Sequence, residues 1–132
     1  MGIENENIVV YGFKRDFYTF GCNEDEYSTK EIKYKFPYDY FELKNKRKTY
    51  NFRNFPLPVV IQDGMNGDYS IFGICVKCFG QDRWGDDQPM DLCLTKKDFS
   101  LLKRELKKEM EKWNMDLETL GKPELIIITH TT

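Results

Sequence analysis

The chain has 132 residues and a mass of 15.8 kDa, with 20 Lys and Arg against 22 Asp and Glu, a formal net charge of -2 and a pI near 5.5. That length predicts one domain, and the charge balance excludes both a polybasic nucleic-acid coat and a supercharged acidic tail, so electrostatic recognition has to be local. No run approaches the roughly 18 to 20 consecutive apolar residues of a membrane span, and Met1 to Glu6 is polar and acidic where a secretory signal is basic and then apolar, so the expectation is a cytoplasmic protein with no membrane partner.

Aromatic residues make up 15% of the chain and alanine is absent, which suits sheet surfaces better than a tight helical bundle. Ile8 to Phe13 is β-branched and aromatic, and Phe17 to Phe20 follows Lys14-Arg15-Asp16 at hairpin distance, which predicts a first hairpin. Gly21 to Asp25 reads as a polar turn. Lys30 to Phe36 then alternates, with Ile32, Tyr34 and Phe36 on one face and Glu31, Lys33 and Lys35 on the other, as in a half-wet antiparallel strand. Lys48 to Arg53 alternates again, Tyr50 and Phe52 against Thr49, Asn51 and Arg53.

After the Pro-punctuated stretch Asn54 to Pro58, Val59-Val60-Ile61 predicts a short apolar strand, and Asp63 to Asp68 a tight turn of residues that tolerate positive φ. Tyr69 to Phe79 is largely apolar in both registers, which predicts a central strand buried on both faces. Gly80 to Pro89 is a polar loop, and Met90 to Leu94 predicts a further strand.

Thr95 followed three residues later by Asp98 is close to a capping box. Phe99, Leu102, Leu106, Met110, Trp113, Leu117 and Leu120 recur at spacings of three and four, the apolar stripe of a helix from Lys96 to about Leu120, with Asn114 and Asp116 the residues that would break it. Gly121 and Pro123 are stop signals. Leu125 to Ile128 is uniformly apolar, which predicts a strand buried near the middle of the sheet, and Met90 to Thr129 a strand-helix-strand crossover unit. Together these elements predict an α+β fold: a mainly antiparallel sheet of five to seven strands, one long amphipathic C-terminal helix on one face, and a final buried strand.

Reactive constellations are scarce. His130 is the only histidine and lies two residues from the last one, a poor place from which to build a Ser or Cys triad. The four thiols, Cys22, Cys75, Cys78 and Cys93, include a Cys-x-x-Cys pair, but strand parity would send Cys75 and Cys78 to opposite faces, whereas a zinc site needs converging sulfurs and thioredoxin-like chemistry a helix N-terminus. They read as reduced thiols. The acids Asp82, Asp86, Asp87 and Asp91 lack calcium-loop spacing, and no Gly-rich phosphate cradle occurs. No catalytic residue, metal or cofactor is expected.

Two surfaces invite recognition. In the loop Gly80 to Pro89, Trp84 sits among Asp82, Arg83, Asp86 and Asp87; presented outward it makes a hot spot ringed by acids, suited to a partner protein with a basic surface, and turned inward it is a lid on its own sheet. Lys30 to Arg53 carries eight basic residues against three acidic ones, interleaved with aromatics. Lys44, Lys46, Arg47, Lys48 and Arg53, with Tyr38 and Tyr40 beside Pro37, form the alternative, a single-stranded nucleic-acid platform. The leading expectation is a small non-catalytic binding protein of the inhibitor, antitoxin or immunity-factor kind, acting by protein-protein recognition through the acidic Trp loop. A nucleotide-like small-ligand binder is a third reading, and a homodimer would satisfy an uncovered edge strand.

Overall fold

The computed structural model describes residues 5–22, 32–36, 50–63, 67–80 and 93–131. In chain order the elements are β1 (Asn5–Arg15), β2 (Phe20–Cys22), β3 (Tyr34–Phe36), β4 (Pro58–Gln62), β5 (Ser70–Gly80), α1 (Lys96–Lys112), α2 (Leu117–Leu120) and β6 (Glu124–Thr131). The fold is α+β. Among the described residues the strands form a mostly antiparallel four-stranded sheet in the order β4-β5-β1-β6 and a two-stranded pair, β2-β3; the expected five to seven strands in one sheet are not seen there.

β1 and β5 form the spine of the sheet, antiparallel from Glu6 opposite Gly80 to Arg15 opposite Ser70. Their backbones touch where Gly12 meets Gly73: a Cβ on Gly12 would lie 2.1 Å from the Phe72 carbonyl oxygen, and one on Gly73 2.4 Å from that of Tyr11. Only glycine fits at either position. Farther along, the register slips between Val9 and Val10, which face Lys77 and Cys75, so Val76 is the extra residue of a β-bulge.

The sheet buries both faces. On the helix side lie Val9, Tyr11, Phe13, Phe72, Ile74 and Val76, meeting Leu102, Leu106 and Met110 of α1. Ile8, Val10, Val59, Ile61, Ile71 and Ile126 fill the other. β5 is therefore the doubly buried central strand that its two apolar registers predict.

α1 starts as the sequence predicts. The Thr95 hydroxyl accepts from the Asp98 N–H while the Asp98 carboxylate accepts from the Thr95 N–H, a complete capping box. The helix is shorter than expected. It ends at Lys112 because Asn114 turns left-handed (φ 53°), Met115 bonds back to the Met110 carbonyl, and the Asp116 carboxylate then accepts N–H groups at the start of α2. Among the described residues no helix is long and apolar enough to cross a membrane.

Several expectations are corrected. The first hairpin does not form: β2 pairs in parallel with β3, Phe20 opposite Tyr34, and the Phe20 ring packs on Tyr34 and on Phe72 of β5 instead of on β1. Of the strand expected from Lys30 to Phe36, Lys30 and Glu31 lie outside the described residues and Tyr34–Phe36 forms β3, whose partner runs parallel rather than antiparallel, with Ile32 and Phe36 buried and Lys33 and Lys35 exposed as the alternation predicts. Of the strand expected from Lys48 to Arg53, Lys48 and Thr49 lie outside the described residues, Tyr50 and Asn51 are in no strand and residues 52–54 form a turn, yet Phe52 is buried between exposed Asn51 and Arg53. Cys93 and Leu94 are not in a strand, and Met90 to Leu92 lie outside the described residues.

The last strand is the largest correction. Among the described residues β6 pairs with β1 alone and forms an edge of the sheet, not its middle. Leu125 is 37% and Ile127 55% exposed. Because β5 and β6 both run antiparallel to β1, they are parallel to each other with β1 between them, and both helices belong to that connection.

Candidate functional site

The register of β6 places its side chains. Val9 faces Ile127 and Tyr11 faces Leu125, so Leu125 and Ile127 share the helix-side face with Val9 and Tyr11. Ile126 and Ile128, opposite Val10 and Ile8, belong to the other face and pack into its core. On that side of β6, Leu125 and Ile127 are left exposed. Next to the uncovered strand, an apolar groove of about 230 Å³ opens between helix and sheet, lined by Tyr11, Phe13, Leu106, Met110, Gly121 and Pro123.

The helical repeat builds the rim of this groove. Leu106 and Met110 lie one turn apart and point at the sheet, while Lys103 and Lys107, also one turn apart, flank them and are exposed. Gly121, with φ at 77°, turns the chain out of α2 so that Pro123 closes one end. Tyr11 is fixed by the edge of Phe99, ring centroids 6.2 Å apart, and partial burial raises its phenol above the ordinary value. The result is an apolar floor with two ammonium groups at its lip and exposed Leu125 and Ile127 beyond.

A second, larger cleft of about 610 Å³ lies at the N-terminal end of α1, lined by Arg53, Thr95, Lys97, Asp98, Ser100, Leu101 and Arg104. Arg53 is committed within it. Its Nε and Nη2 donate to the two carboxylate oxygens of Asp98 at 2.9 Å each, and Nη2 also donates to the Cys93 carbonyl at 3.1 Å. Those hydrogen bonds, with the capping N–H of Thr95, hold the Asp98 carboxyl down at about 2. Arg53 therefore acts first as a structural clamp. The other members of the predicted nucleic-acid set, Lys44, Lys46, Arg47, Lys48, Tyr38 and Tyr40, lie outside the described residues, as do Asp82, Arg83, Trp84, Asp86 and Asp87 of the acidic loop.

The thiols are placed differently from expectation. The bulge at Val76 inserts one residue between Cys75 and Cys78, so both fall on the same face, buried beside Ile8 and Val10. The expectation of opposite faces is overturned. Burial pushes the Cys75 thiol well up, which keeps it protonated and unreactive. Beside it the Tyr50 hydroxyl donates to the Cys75 carbonyl at 2.7 Å and accepts the Leu57 N–H at 3.1 Å; desolvation raises this phenol strongly, so Tyr50 is a neutral cross-brace. Cys93 is exposed, and Cys75, Cys78 and Cys93 are all thiols. Among the described residues no group of three or more His, Cys, Asp or Glu comes together as a metal site.

Sequence reasoning missed the groove and the open edge. A run of four large apolar residues fits a central strand and an edge strand equally well, and only the pairing partner distinguishes them. Lys103 and Lys107 were legible as the polar flank of the helix, without any sign that they border an apolar hollow. Comparison of the chain with protein-family models, curated proteins and solved structures gives no match, so its function has to be read from its own residues.

Proposed function

We propose that the protein is a small non-catalytic binding protein that acts by protein-protein recognition, seating a partner's apolar, acid-flanked segment in the groove between α1 and the β1-β6 edge. The observation that supports this is the pairing of an apolar floor, Tyr11, Leu106 and Met110, with a lip formed by Lys103 and Lys107. At about 230 Å³ the groove is smaller than the roughly 300 to 1,000 Å³ of a small-molecule pocket, and suits one or two anchoring side chains. The lysines add charge complementarity toward acids flanking those anchors. Occlusion of a partner's working surface, as inhibitors and immunity factors achieve it, is the role we propose, with Asp82, Arg83, Trp84, Asp86 and Asp87 offering a second contact to a basic patch on the same partner.

A second reading has one observation in its favour: Arg53, Lys97 and Arg104 line one cleft, which would extend a basic nucleic-acid path formed with Lys44, Lys46, Arg47 and Lys48. One titration separates the two. Isotope-labelled protein is mixed with short peptides in which isoleucines are flanked by glutamates, with lysine-flanked counterparts, and with single-stranded oligonucleotides at low and high salt. Recognition at the groove predicts resonance shifts at Lys103, Lys107 and Met110 with the glutamate peptides alone. Strongly salt-dependent shifts with oligonucleotides, and none with peptides, would replace this reading by the second.

A further inference from the structure

The two edges of the main sheet are treated differently. β4 opens with Pro58, which has no N–H to offer, and its Val59, Val60 and Ile61 are all buried. β6 presents the run Leu125-Ile126-Ile127-Ile128-Thr129 without a charge, a proline or a bulge, and no other strand among the described residues pairs with its outer side. Edge strands of proteins that remain monomeric are normally blunted by such devices, because unpaired backbone groups beside exposed apolar side chains recruit another strand.

We propose that β6 pairs antiparallel with β6 of a second copy of this chain, joining two four-stranded sheets into one of eight strands. The inference stands independently of the groove's ligand. A two-fold axis perpendicular to the sheet keeps both faces in common, so it has to pass through a residue and pair positions of equal parity. Centred on Ile127, it sets Ile127 against Ile127 of the second copy, Ile126 against Ile128, Leu125 against Thr129, and Glu124 against His130. At the centre isoleucine then opposes isoleucine, and the exposed Glu124 of each copy falls at an opposite end of the paired strands, away from the other Glu124 and from the apolar run. Centring on Ile126 instead sets Glu124 against an isoleucine and draws Pro123 into the ladder opposite Thr129, where it lacks a donor. The self-matching isoleucines, with Glu124 and Pro123 kept at the ends of the ladder, favour a second copy in this register.

The geometry has a consequence for binding. Both α1 helices come to lie on the same face of the joined sheet, with Leu125 and Ile127 of each copy between them, so the two lysine-lipped grooves become walls of one trough. A partner carrying two suitable segments would engage both.

Sedimentation equilibrium over a wide concentration range tests the pairing. The wild-type chain is expected at twice 15.8 kDa. Ile127→Lys and the milder Ile127→Thr are expected to weaken self-association at least about thirtyfold, the loss of a central hot spot. Phe55→Lys, an equally exposed site away from β6, is expected to leave it intact. In a background with Cys22 and Cys93 replaced by Ser, Ile127→Cys is expected to form an interchain disulfide on oxidation, since directly opposed strand residues fall within disulfide reach, and Glu124→Cys is not. A wild-type monomer at every concentration, or a dimer that survives both Ile127 substitutions, overturns the proposal; neither result bears on the peptide titration, which reads the groove separately.

Discussion

Arg53 holds Asp98 by both oxygens, and through that fork the turn before β4 is tied to the first turn of α1. Asp98 is buried at this point and also closes the helix cap with Thr95, so one carboxylate serves the tertiary clamp and the secondary-structure boundary at once.

Acid should therefore loosen the fold at this joint. The Asp98 carboxyl lies at about 2, below its ordinary value of 3.8, so its charged form is favoured in the folded state. The stabilisation is complete above the unfolded value and is lost as pH falls from there toward 2. Thermal melts between pH 5 and pH 2 are expected to show a falling midpoint in the wild type and a flatter profile in Asp98→Asn. Asp116, also lowered by Thr119 and Glu118, leaves a residual slope of the same sign. An unchanged slope in Asp98→Asn would contradict the assignment.

Removing the Thr95 hydroxyl takes one acceptor from the start of α1. Thr95→Ala is expected to cost about 1 kcal/mol by urea denaturation, and Thr95→Ser to retain most of the wild-type stability. Equal losses in both variants would mean that packing of the threonine methyl matters more than its cap.

The contact of β1 with β5 at Gly12 and Gly73 leaves no space for a side chain. Gly12→Ala is expected to destabilise by about 3 kcal/mol or more, because the new atom would meet backbone that cannot move aside. Gly67→Ala is a useful contrast: that site is left-handed (φ 68°) but open, and about 1 kcal/mol is the expected cost. Similar losses at the two positions would argue against the close approach.

Thiol accessibility checks the bulge and the burial together. Site-resolved alkylation is expected to modify exposed Cys93 quickly and to reach Cys75 and Cys78 only when the sheet opens, at rates that rise together with denaturant. Rapid modification of Cys75 in native buffer would show that this face is not closed.

How far the sequence leads depends on the kind of interaction involved. Local signals carry well: the Thr95-Asp98 spacing does form a cap, Asn114 does interrupt the helix, and the run read from Tyr69 to Phe79 does become a strand, β5, buried on both faces from Ser70 to Val76. Burial is legible even where secondary structure is not, since Phe52 turns inward from a chain that forms a turn rather than a strand. What fails is long-range or hangs on a single residue. Phe20 pairs with Tyr34 rather than with the adjacent strand, because aromatic partners distant in sequence outweigh hairpin proximity. One extra residue at Val76 reverses the parity of Cys78, and nothing in Cys-Val-Lys-Cys announces a bulge. At β6, four apolar residues specify a strand without specifying how many neighbours it has.

The groove's charge is the most direct handle on recognition. Reversing it with Lys103→Glu and Lys107→Glu changes two exposed residues on the lip and leaves Leu106, Met110 and Tyr11 in place. Affinity for the glutamate-flanked isoleucine peptides, measured by calorimetry, is expected to fall by about tenfold or more, with affinity for the lysine-flanked set rising in exchange. Equal affinities in the wild-type and reversed proteins would contradict recognition through this groove.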